Sequence, residues 1–316
     1  MIRLESVSKV YADGTTAVHD LTMEIQAGEL AVLVGPSGCG KTTTMRMINR
    51  LVDPSSGRVL IAGRDIAEQD PVQLRRSIGY VIQQVGLLPH QSVRKNVATV
   101  PKLMGWDAAR TRARVDELLE LVGLDPARFG DRYPHQLSGG QRQRVGVARA
   151  LAVDPPILLM DEPFGAVDPL ERGRLQEEML KLLADVQKTV VFVTHDVDEA
   201  IRLGTHIAVM RQGGYLEQFA PPVEILAQPA TPFVADFVGN DRTVKLLSVA
   251  TVSSLALERI EDGDRSAPQL SETALLRDAL AALLRSDAGR VRVGDAGVLT
   301  MEGVRQSLHA LGLELD

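Results

Sequence analysis

The sequence is poor in cysteine and aromatic residues and has no long apolar run. Cys39 is the one cysteine among 316 residues, so no disulfide can form within the chain. No stretch approaches the roughly 18 apolar residues of a membrane-spanning helix, and the N-terminus lacks the pattern of a secretory signal. We therefore expect a soluble chain in a reducing compartment, which acts at a membrane only by docking onto other subunits.

A positive charge excess is also missing. The formal net charge is −6, which argues against a nucleic-acid partner held mainly by phosphate contacts. Aromatic residues make up 3% of the chain and apolar residues 45%, so Leu, Val, Ala and Ile must build the core. The length allows one large domain with a small appendage, or two domains.

Short apolar runs alternate with helix-like segments up to about residue 226. Leu30–Val34, Ile157–Met160 and Val190–Val193 are continuous apolar runs of strand length, which is typical of buried parallel strands. This alternation predicts an α/β domain with a mostly parallel central sheet. The region of about 92–150 has charged, Leu/Val-periodic segments instead, and we expect it to be a mainly helical insertion.

The pattern of apolar and polar residues changes at Gly239–Asp241. We place a domain boundary there, between residues 1–240 and 241–316. Beyond it the pattern predicts a helix over Thr273–Arg285, two short strands at Arg290–Val293 and Gly297–Thr300, and a last helix over Glu302–Leu311.

A glycine-rich loop follows the first apolar run and precedes a helix-like segment. It fits the pattern G-x-x-x-x-G-K-[ST], in which glycines let backbone N–H groups point at phosphate oxygens and the helix N-terminus adds positive potential. Lys41 would reach the β- and γ-phosphates of ATP, and the Thr42 hydroxyl would reach Mg²⁺. The expected nucleotide-binding residues here are Gly35, Pro36, Ser37, Gly38, Cys39, Gly40, Lys41, Thr42 and Thr43.

Two further apolar runs end in polar residues. Asp161 and Glu162 follow one run, at the end of a predicted parallel strand that should face the ligand. Asp161 is placed to hold Mg²⁺, and Glu162 is placed to act as the general base on the attacking water. His195 follows the other run and could orient water or touch the γ-phosphate, or could simply cap the strand end.

The segment Leu137–Gln141 reads Leu-Ser-Gly-Gly-Gln, lies between the phosphate loop and the Asp-Glu pair, and resembles the signature of ABC transporter ATPase subunits. The resemblance covers about residues 1–240. It implies a P-loop ATPase domain with a mostly parallel sheet, an antiparallel β subdomain and a helical subdomain. It also implies a head-to-tail homodimer in which each ATP contacts the phosphate loop of one subunit and Ser138, Gly139, Gly140 and Gln141 of the other.

Other positions of the family pattern match residue by residue. The resemblance places Tyr11 against adenine, Gln83 on Mg²⁺ and the γ-phosphate, and Asp168 in the loop that crosses the dimer interface. It makes His195 the switch histidine. Gly165 stands where the commoner pattern has Ser, which removes a hydroxyl. The expected catalytic residues are Glu162, His195 and Gln83, and the expected Mg²⁺ residues are Thr42, Gln83 and Asp161.

The resemblance also suggests partners and a substrate class. Residues 85–92 correspond to the surface that grips a membrane permease, with a buried loop as the alternative. The tract 234–247 and the motif Thr194–Ala200 are similar to those of glycine betaine, proline and choline importers. Such importers receive their solute from a binding protein, and their ATPase sits on the cytoplasmic face of the inner membrane. The solute never touches this subunit, so the assignment rests on analogy.

The C-terminal segment resembles half of a cystathionine-β-synthase-type (CBS) module. Members of the importer group carry two such motifs, whereas about 70 residues remain here, so a structural or dimerising tail and a ligand-sensing half-module both stay open. Other open readings are an importer of another solute such as an amino acid, a translation or DNA-repair ATPase of the same superfamily, and a regulatory adenylate-binding protein.

Overall fold

The computed structural model describes residues 1–83, 86–165, 169–260, 267–286 and 288–310. Contacts divide the chain into two compact units. The first comprises Met1–Asp196 and Ala208–Phe219, and the second comprises Val197–Ile207 and the chain from Ala220 onward. This division does not fall at residue 240, and the domain limits 1–240 and 241–316 stay a prediction.

A six-stranded sheet forms the centre of the first unit, in the order β10-β9-β3-β8-β7-β6. The pairs β3/β8, β8/β7 and β7/β6 are parallel. Every residue of β3, β7 and β8 is buried, which explains why these strands read as continuous apolar runs. The strands are β3 (Leu30–Val34), β6 (Ile78–Val81), β7 (Ile157–Asp161), β8 (Thr189–Val193), β9 (His206–Arg211) and β10 (Tyr215–Ala220).

An antiparallel sheet of four strands lies in the same unit, in the order β2-β1-β4-β5. Alternating burial along β1 and β2 leaves one face for the core, which Ile2, Leu4 and Ile25 fill without exposure. The strands are β1 (Ile2–Val10), β2 (Thr16–Ile25), β4 (Ser56–Ile61) and β5 (Arg64–Asp65).

The segment between residues 93 and 150, all of which the structure describes, forms helices and no strand. Side chains cap several of these helices, because Ser92, Asp107 and Ser138 each accept a hydrogen bond from a backbone N–H of the first turn. The helices are α3 (Val93–Val97), α4 (Thr99–Leu103), α5 (Ala108–Leu121), α6 (Pro126–Phe129) and α7 (Gly139–Ala150).

Three more helices complete the first unit. They are α1 (Lys41–Ile48) after β3, α2 (Pro71–Arg76) before β6, and α8 (Pro169–Val186) between β7 and β8. The parallel strand ends and the start of α1 therefore lie in one unit, as the predicted P-loop ATPase fold requires.

The second unit holds the C-terminal elements in the order that the sequence predicts. A three-stranded sheet, β11-β12-β13, pairs β11 with β12 in parallel and β12 with β13 antiparallel. The CBS-like assignment of this segment stays a prediction. The elements are α9 (Val197–Leu203), α10 (Pro222–Ala227), α11 (Pro232–Val238), α12 (Arg242–Leu247), β11 (Gln269–Leu270), α13 (Leu276–Arg285), β12 (Arg290–Val293), β13 (Gly297–Thr300) and α14 (Met301–Ala310).

No helix in the described ranges is long and apolar enough to cross a bilayer.

Charged contacts join helices of the second unit, where Lys245 Nζ lies 3.1 Å from Asp198 Oδ1 and 3.0 Å from Asp241 Oδ1. The same ammonium donates to the carbonyl of Val238 at 2.9 Å. The ammonium of Lys245 therefore connects α9, α11 and α12.

Candidate functional site

The phosphate loop connects β3 with α1 through left-handed glycines. Gly40 has φ +95° at the N-cap of α1, and a Cβ at this position would lie 2.2 Å from the carbonyl oxygen of Ala17. Gly38 has φ +79°, and a Cβ there would meet no atom within 4 Å. The loop thus needs glycine for its backbone conformation and leaves open space beside Gly38, which fits a phosphate group held by backbone N–H groups.

Lys41 is buried against this loop, with 6% of its surface exposed. Its ammonium donates to the carbonyls of Gly35 at 2.7 Å and Pro36 at 3.1 Å, and lies 3.6 Å from Cys39 Sγ. A buried ammonium needs acceptors. Phosphate oxygens are stronger acceptors than these carbonyls, so the side chain is placed to exchange one set for the other.

Thr42 and Asp161 meet across the loop and the end of β7. The Thr42 hydroxyl donates to Asp161 Oδ1 at 3.1 Å. Burial raises the pKa of the Asp161 carboxyl, the charge of Glu162 adds to that rise, and the hydrogen bond from Thr42 opposes it. A cation would stabilise this carboxylate.

A hydroxyl beside a carboxylate is the oxygen donor set that Mg²⁺ accepts, so these residues fit the ion. The described part of the chain holds no group of three or more His, Cys, Asp or Glu side chains that could bind a metal. In nucleotide sites Mg²⁺ commonly takes several of its ligands from phosphate oxygens and water.

Glu162 makes contacts with two other segments, the residues that follow β6 and the end of β8. Its Oε2 accepts a hydrogen bond from Gln83 Nε2 at 2.9 Å, and its Oε1 lies 3.6 Å from His195 Nδ1. Its backbone N–H donates to the carbonyl of Val193 at 3.0 Å. The residue has φ +43°, a rare conformation for glutamate that is common at functional sites.

The three predicted catalytic side chains therefore lie together at the carboxyl ends of parallel strands. Gln83 follows β6, Glu162 follows β7 and His195 follows β8. Gln83 and His195 are exposed and Glu162 is half-buried, so the cluster faces solvent on one side. A carboxylate with a positioned donor and an imidazole beside it can accept a proton from water.

Tyr11 lies next to the helix that carries the phosphate loop. Its hydroxyl is 3.4 Å from Thr43 Oγ1, and the residue is 39% exposed. The ammonium of Lys9 lies 5.5 Å from the ring centroid. An exposed ring beside the loop suits stacking on a nucleotide base.

The signature segment starts α7 with a reciprocal cap. Ser138 Oγ accepts from the Gln141 backbone N–H at 3.2 Å, and Gln141 Oε1 accepts from the Ser138 N–H at 3.0 Å. The Gln141 carboxamide oxygen is therefore engaged within the cap. The helix N-terminus at Gly139 and Gly140 provides positive potential for an anion.

Asp168 and the first residue of the predicted docking surface, Val85, lie outside the described residues. In the rest of that surface Leu87 and Leu88 are half-buried, while Pro89 and His90 are exposed. The leucines are therefore neither fully buried nor fully exposed, and both the docking surface and the buried loop remain open as predictions.

Sequence reasoning missed two residues that hold the loop after β6. The Asn96 side chain accepts from the Leu88 N–H at 2.7 Å and donates to the carbonyls of Leu88 and Gln91 at 3.1 and 3.0 Å. Arg149, at the end of α7, donates to the carbonyl of Gly86 at 2.6 Å. An asparagine inside a short helix was a usable signal, because it is a poor helix former.

A phosphate loop before a helix, with a Thr–Asp pair and a Gln–Glu–His cluster at the ends of parallel strands, defines a P-loop nucleotide-binding protein. A family model described as ABC transporter matches residues 18–165. The glycine betaine uptake system ATP-binding protein YehX of Escherichia coli is 49% identical over 281 residues, which is 89% of each chain. The chain belongs to the ABC transporter ATP-binding protein family, and the predicted family is confirmed.

Other relatives are longer than this chain. The glycine betaine/carnitine/choline transport ATP-binding protein OpuCA of Bacillus subtilis is 55% identical over 245 residues, covering 78% of this chain and 64% of that protein. The carnitine transport protein OpuCA of Listeria monocytogenes is 54% identical, with 61% of its length covered. The chain thus spans rather less than two thirds of the length of these relatives.

Solved structures agree on the fold. A dimeric, post-hydrolysis structure of an ATP-binding cassette bound to ADP and Pi matches with a TM-score of 0.63 and 35% identity, covering 70% of this chain and 99% of that one. CbiO1 of Clostridium perfringens, part of an ABC transporter complex, matches with a TM-score of 0.66 and 30% identity, covering 72% and 91%. The predicted P-loop ABC ATPase fold with mixed α/β sheets is confirmed.

Proposed function

We propose that this chain is the ATP-hydrolysing subunit of an ABC importer for quaternary-amine osmoprotectants such as glycine betaine, choline and carnitine. The convergence of Gln83, Glu162 and His195 beside the Thr42–Asp161 pair carries the hydrolytic part of this proposal. The names of the relatives that match at 53–55% identity support the solute class.

The chain's own residues divide the work of hydrolysis. Backbone N–H groups of the loop from Gly35 to Gly40 and the ammonium of Lys41 bind the phosphates of ATP, and Tyr11 stacks on the base. Glu162 accepts the proton of the attacking water, and His195 and Gln83 orient this carboxylate. Thr42 and Asp161, with Gln83, would hold Mg²⁺, which supplies positive charge against the negative charge that develops on the phosphate.

A second copy completes the site. Ser138, Gly139 and Gly140 of one protomer cover the ATP held by the phosphate loop of the other, and Asp168 lies in the loop that crosses between them. The dimeric state of a solved relative with ADP and Pi supports this arrangement. Closure of the dimer passes through the Gln83 loop to permease subunits, which places the protein at the cytoplasmic face of the cell membrane.

The C-terminal segment from about residue 241 is a CBS-like half-module that pairs with the same segment of the second copy. The supporting observation is its order of elements, α13, β12, β13 and α14. In this proposal the ATPase domain spans residues 1–240, and the tail dimerises or senses a ligand.

An importer of another solute is the second candidate. Relatives named for sulfate/thiosulfate and for spermidine/putrescine import are 48% and 44% identical, nearly as similar as YehX. Sequence similarity of the ATPase subunit distinguishes poorly between importers of different solutes, because the solute does not touch this subunit.

Reconstitution tests both candidates. The chain is combined with its permease and solute-binding protein in liposomes, and ATP hydrolysis is measured with glycine betaine, choline, histidine, spermidine or sulfate. We expect stimulation by the two quaternary amines alone. Stimulation by one of the other solutes would transfer the assignment to that class, and an absence of ATP hydrolysis under every condition would reject the ATPase itself.

A further inference from the structure

A cavity of about 280 Å³ lies in the first unit, away from the phosphate loop. It is bounded by the end of α5, one face of α7, the turn after β7 and one face of α8. Its volume is near the lower end of the range of about 300–1,000 Å³ that is typical of small-molecule sites. The apolar side chains that line it include Val122, Val147, Phe164, Leu175, Met179 and Leu182.

One polar side chain in the wall has unused hydrogen-bonding capacity. Gln143 lines the cavity and is 4% exposed, and its Nε2 is buried without a hydrogen-bond partner in the described part of the chain. An unpaired buried donor is costly, so it points to a missing partner. The terminal amide torsion of glutamine is broad and roughly two-fold, so a rotation of about 180° exchanges the positions of its N–H₂ and its oxygen.

The charges around the cavity balance. Arg144 pairs with Glu178 and donates to the carbonyl of Val122 at 3.3 Å, so its guanidinium is already engaged. Lys181 and Asp185 are exposed residues of the same lining and bring one charge of each sign. A ligand with a net charge gains little from such a set, whereas an uncharged ligand loses nothing.

We propose that this cavity binds a small, uncharged and mainly apolar molecule that carries an amide group, with the amide paired to the carboxamide of Gln143. An amide offers both an acceptor and a donor, which are the two partners that a carboxamide needs. The apolar body of the molecule fills the space between Val147, Leu175 and Met179.

Occupancy of the cavity acts on ATP hydrolysis, a consequence that rests on the proposed function. Leu175 in the wall packs against Gly140 so closely that a Cβ on Gly140 would lie 3.0 Å from Leu175 Cδ1. Phe164, in the same wall, follows Glu162 by two residues. A molecule in the cavity therefore stiffens the contact between the start of α7 and α8, and changes how the signature segment meets the second copy.

Benzamide is a suitable probe because it is uncharged, apolar in body and small. Binding is followed by NMR chemical-shift titration of the full chain without nucleotide, with toluene and benzoate as comparison compounds. We expect a dissociation constant for benzamide on the order of 1 mM, which is usual for so small a ligand. Toluene and benzoate should bind at least several-fold more weakly.

Variants locate the site. Gln143→Met keeps the volume of the side chain and should weaken benzamide about tenfold while leaving toluene unchanged. Val147→Phe fills the cavity and should abolish binding of both compounds. Lys181→Ala, at the exposed rim, is the matched control and should leave benzamide binding within twofold. Circular dichroism and the melting temperature check that each variant is folded.

The outcomes separate this site from the proposed function. Benzamide binding that is lost in Gln143→Met and Val147→Phe supports the site even if ATP hydrolysis is never seen. Absence of binding at 10 mM probe concentration (on the order of tenfold above the expected constant), or binding that both variants leave unchanged, overturns it. A change in ATP turnover with benzamide that disappears in Gln143→Met supports the coupling, and unchanged turnover at saturation rejects the coupling alone.

Discussion

Gln83 donates its carboxamide N–H to Glu162 across 2.9 Å, although 79 residues separate the two in the chain. Gln83 follows β6 and Glu162 follows β7, and these strands are parallel neighbours. The loop that follows β6 is thereby connected to the carboxylate proposed as the general base. Any movement of this loop removes a donor from that carboxylate, which links loop position to the readiness of the base.

Gln83→Glu should make this link visible in the rate of ATP hydrolysis. Two negative carboxylates at hydrogen-bond distance repel each other, so the Glu162 side chain loses both its donor and its position. We expect the rate of hydrolysis to fall about 10²-fold, the loss typical of a misplaced catalytic group.

Gln83→Ala is the matched control, because it removes the hydrogen bond without adding a charge. Its rate of ATP hydrolysis should fall less than that of Gln83→Glu. Equal rates for the two variants would contradict the proposed contact between Gln83 and the base.

Glu162→Gln should retain ATP binding and slow hydrolysis by about 10²- to 10⁴-fold, because the amide cannot accept the proton of the attacking water. Phosphate release measures the rate, and gel filtration with ATP should show an accumulated dimer. Glu120→Gln, an exposed position on α5, is the control and should hydrolyse ATP normally. A near-normal rate in Glu162→Gln would reject Glu162 as the base.

Lys41→Ala should weaken ATP binding about 10- to 100-fold, the loss expected for one charge-assisted contact to phosphate. Equilibrium titration with a fluorescent ATP analogue measures the affinity. Lys102→Ala, an exposed lysine on α4, removes the same charge elsewhere and should bind normally. Equal affinities of the two variants would argue against the phosphate loop as the nucleotide site.

Ser138→Arg should leave ATP binding to the monomer intact and block ATP-driven dimerisation. The substitution removes the cap of α7 and places a large cation where the second copy's nucleotide must approach. Light scattering in the Glu162→Gln background reports the dimer. Ala113→Arg adds the same charge to the exposed face of α5 and should still dimerise. Dimerisation of Ser138→Arg would refute the shared site.

The parts of the site that follow from local sequence were predictable. Leu30–Val34 and Ile157–Asp161 are fully buried strands, and continuous apolar runs reveal such strands. The short contact between Thr42 and Asp161 follows from the rule that parallel strands present their carboxyl ends to one ligand. The spacing of the glycines before α1 was sufficient to predict the phosphate loop.

Contacts made by irregular segments were not predictable. The short strand β6 contains Gly79, and four residues give too little periodicity to place Gln83 beside Glu162. The hydrogen bonds of Asn96 and Arg149 to the loop at residues 86–91 depend on tertiary packing of α3 and α7. The assignment of Val197–Ile207 to the second unit also depends on contacts between residues that are distant in sequence.

Asp161→Asn should stabilise the nucleotide-free protein in a pH-dependent way. Burial raises the pKa of Asp161 above its usual 3.8, so the fold favours the protonated form. The stability that this form contributes is fully present below the usual pKa and is lost as the pH rises through the raised value. The neutral amide of Asp161→Asn keeps this stability at every pH.

The gap between Asp161→Asn and the wild type should therefore be near zero at the acid end and should grow with pH to about 2–4 °C in melting temperature. Melting is followed by circular dichroism in EDTA between pH 4 and 8. Asp185→Asn, an exposed carboxylate on α8, should show no such growth. A gap that is constant across this range would contradict the raised pKa. With ATP and Mg²⁺ the wild type should melt at a higher temperature than Asp161→Asn. A bound cation stabilises the wild-type carboxylate, and the neutral amide cannot take over that role.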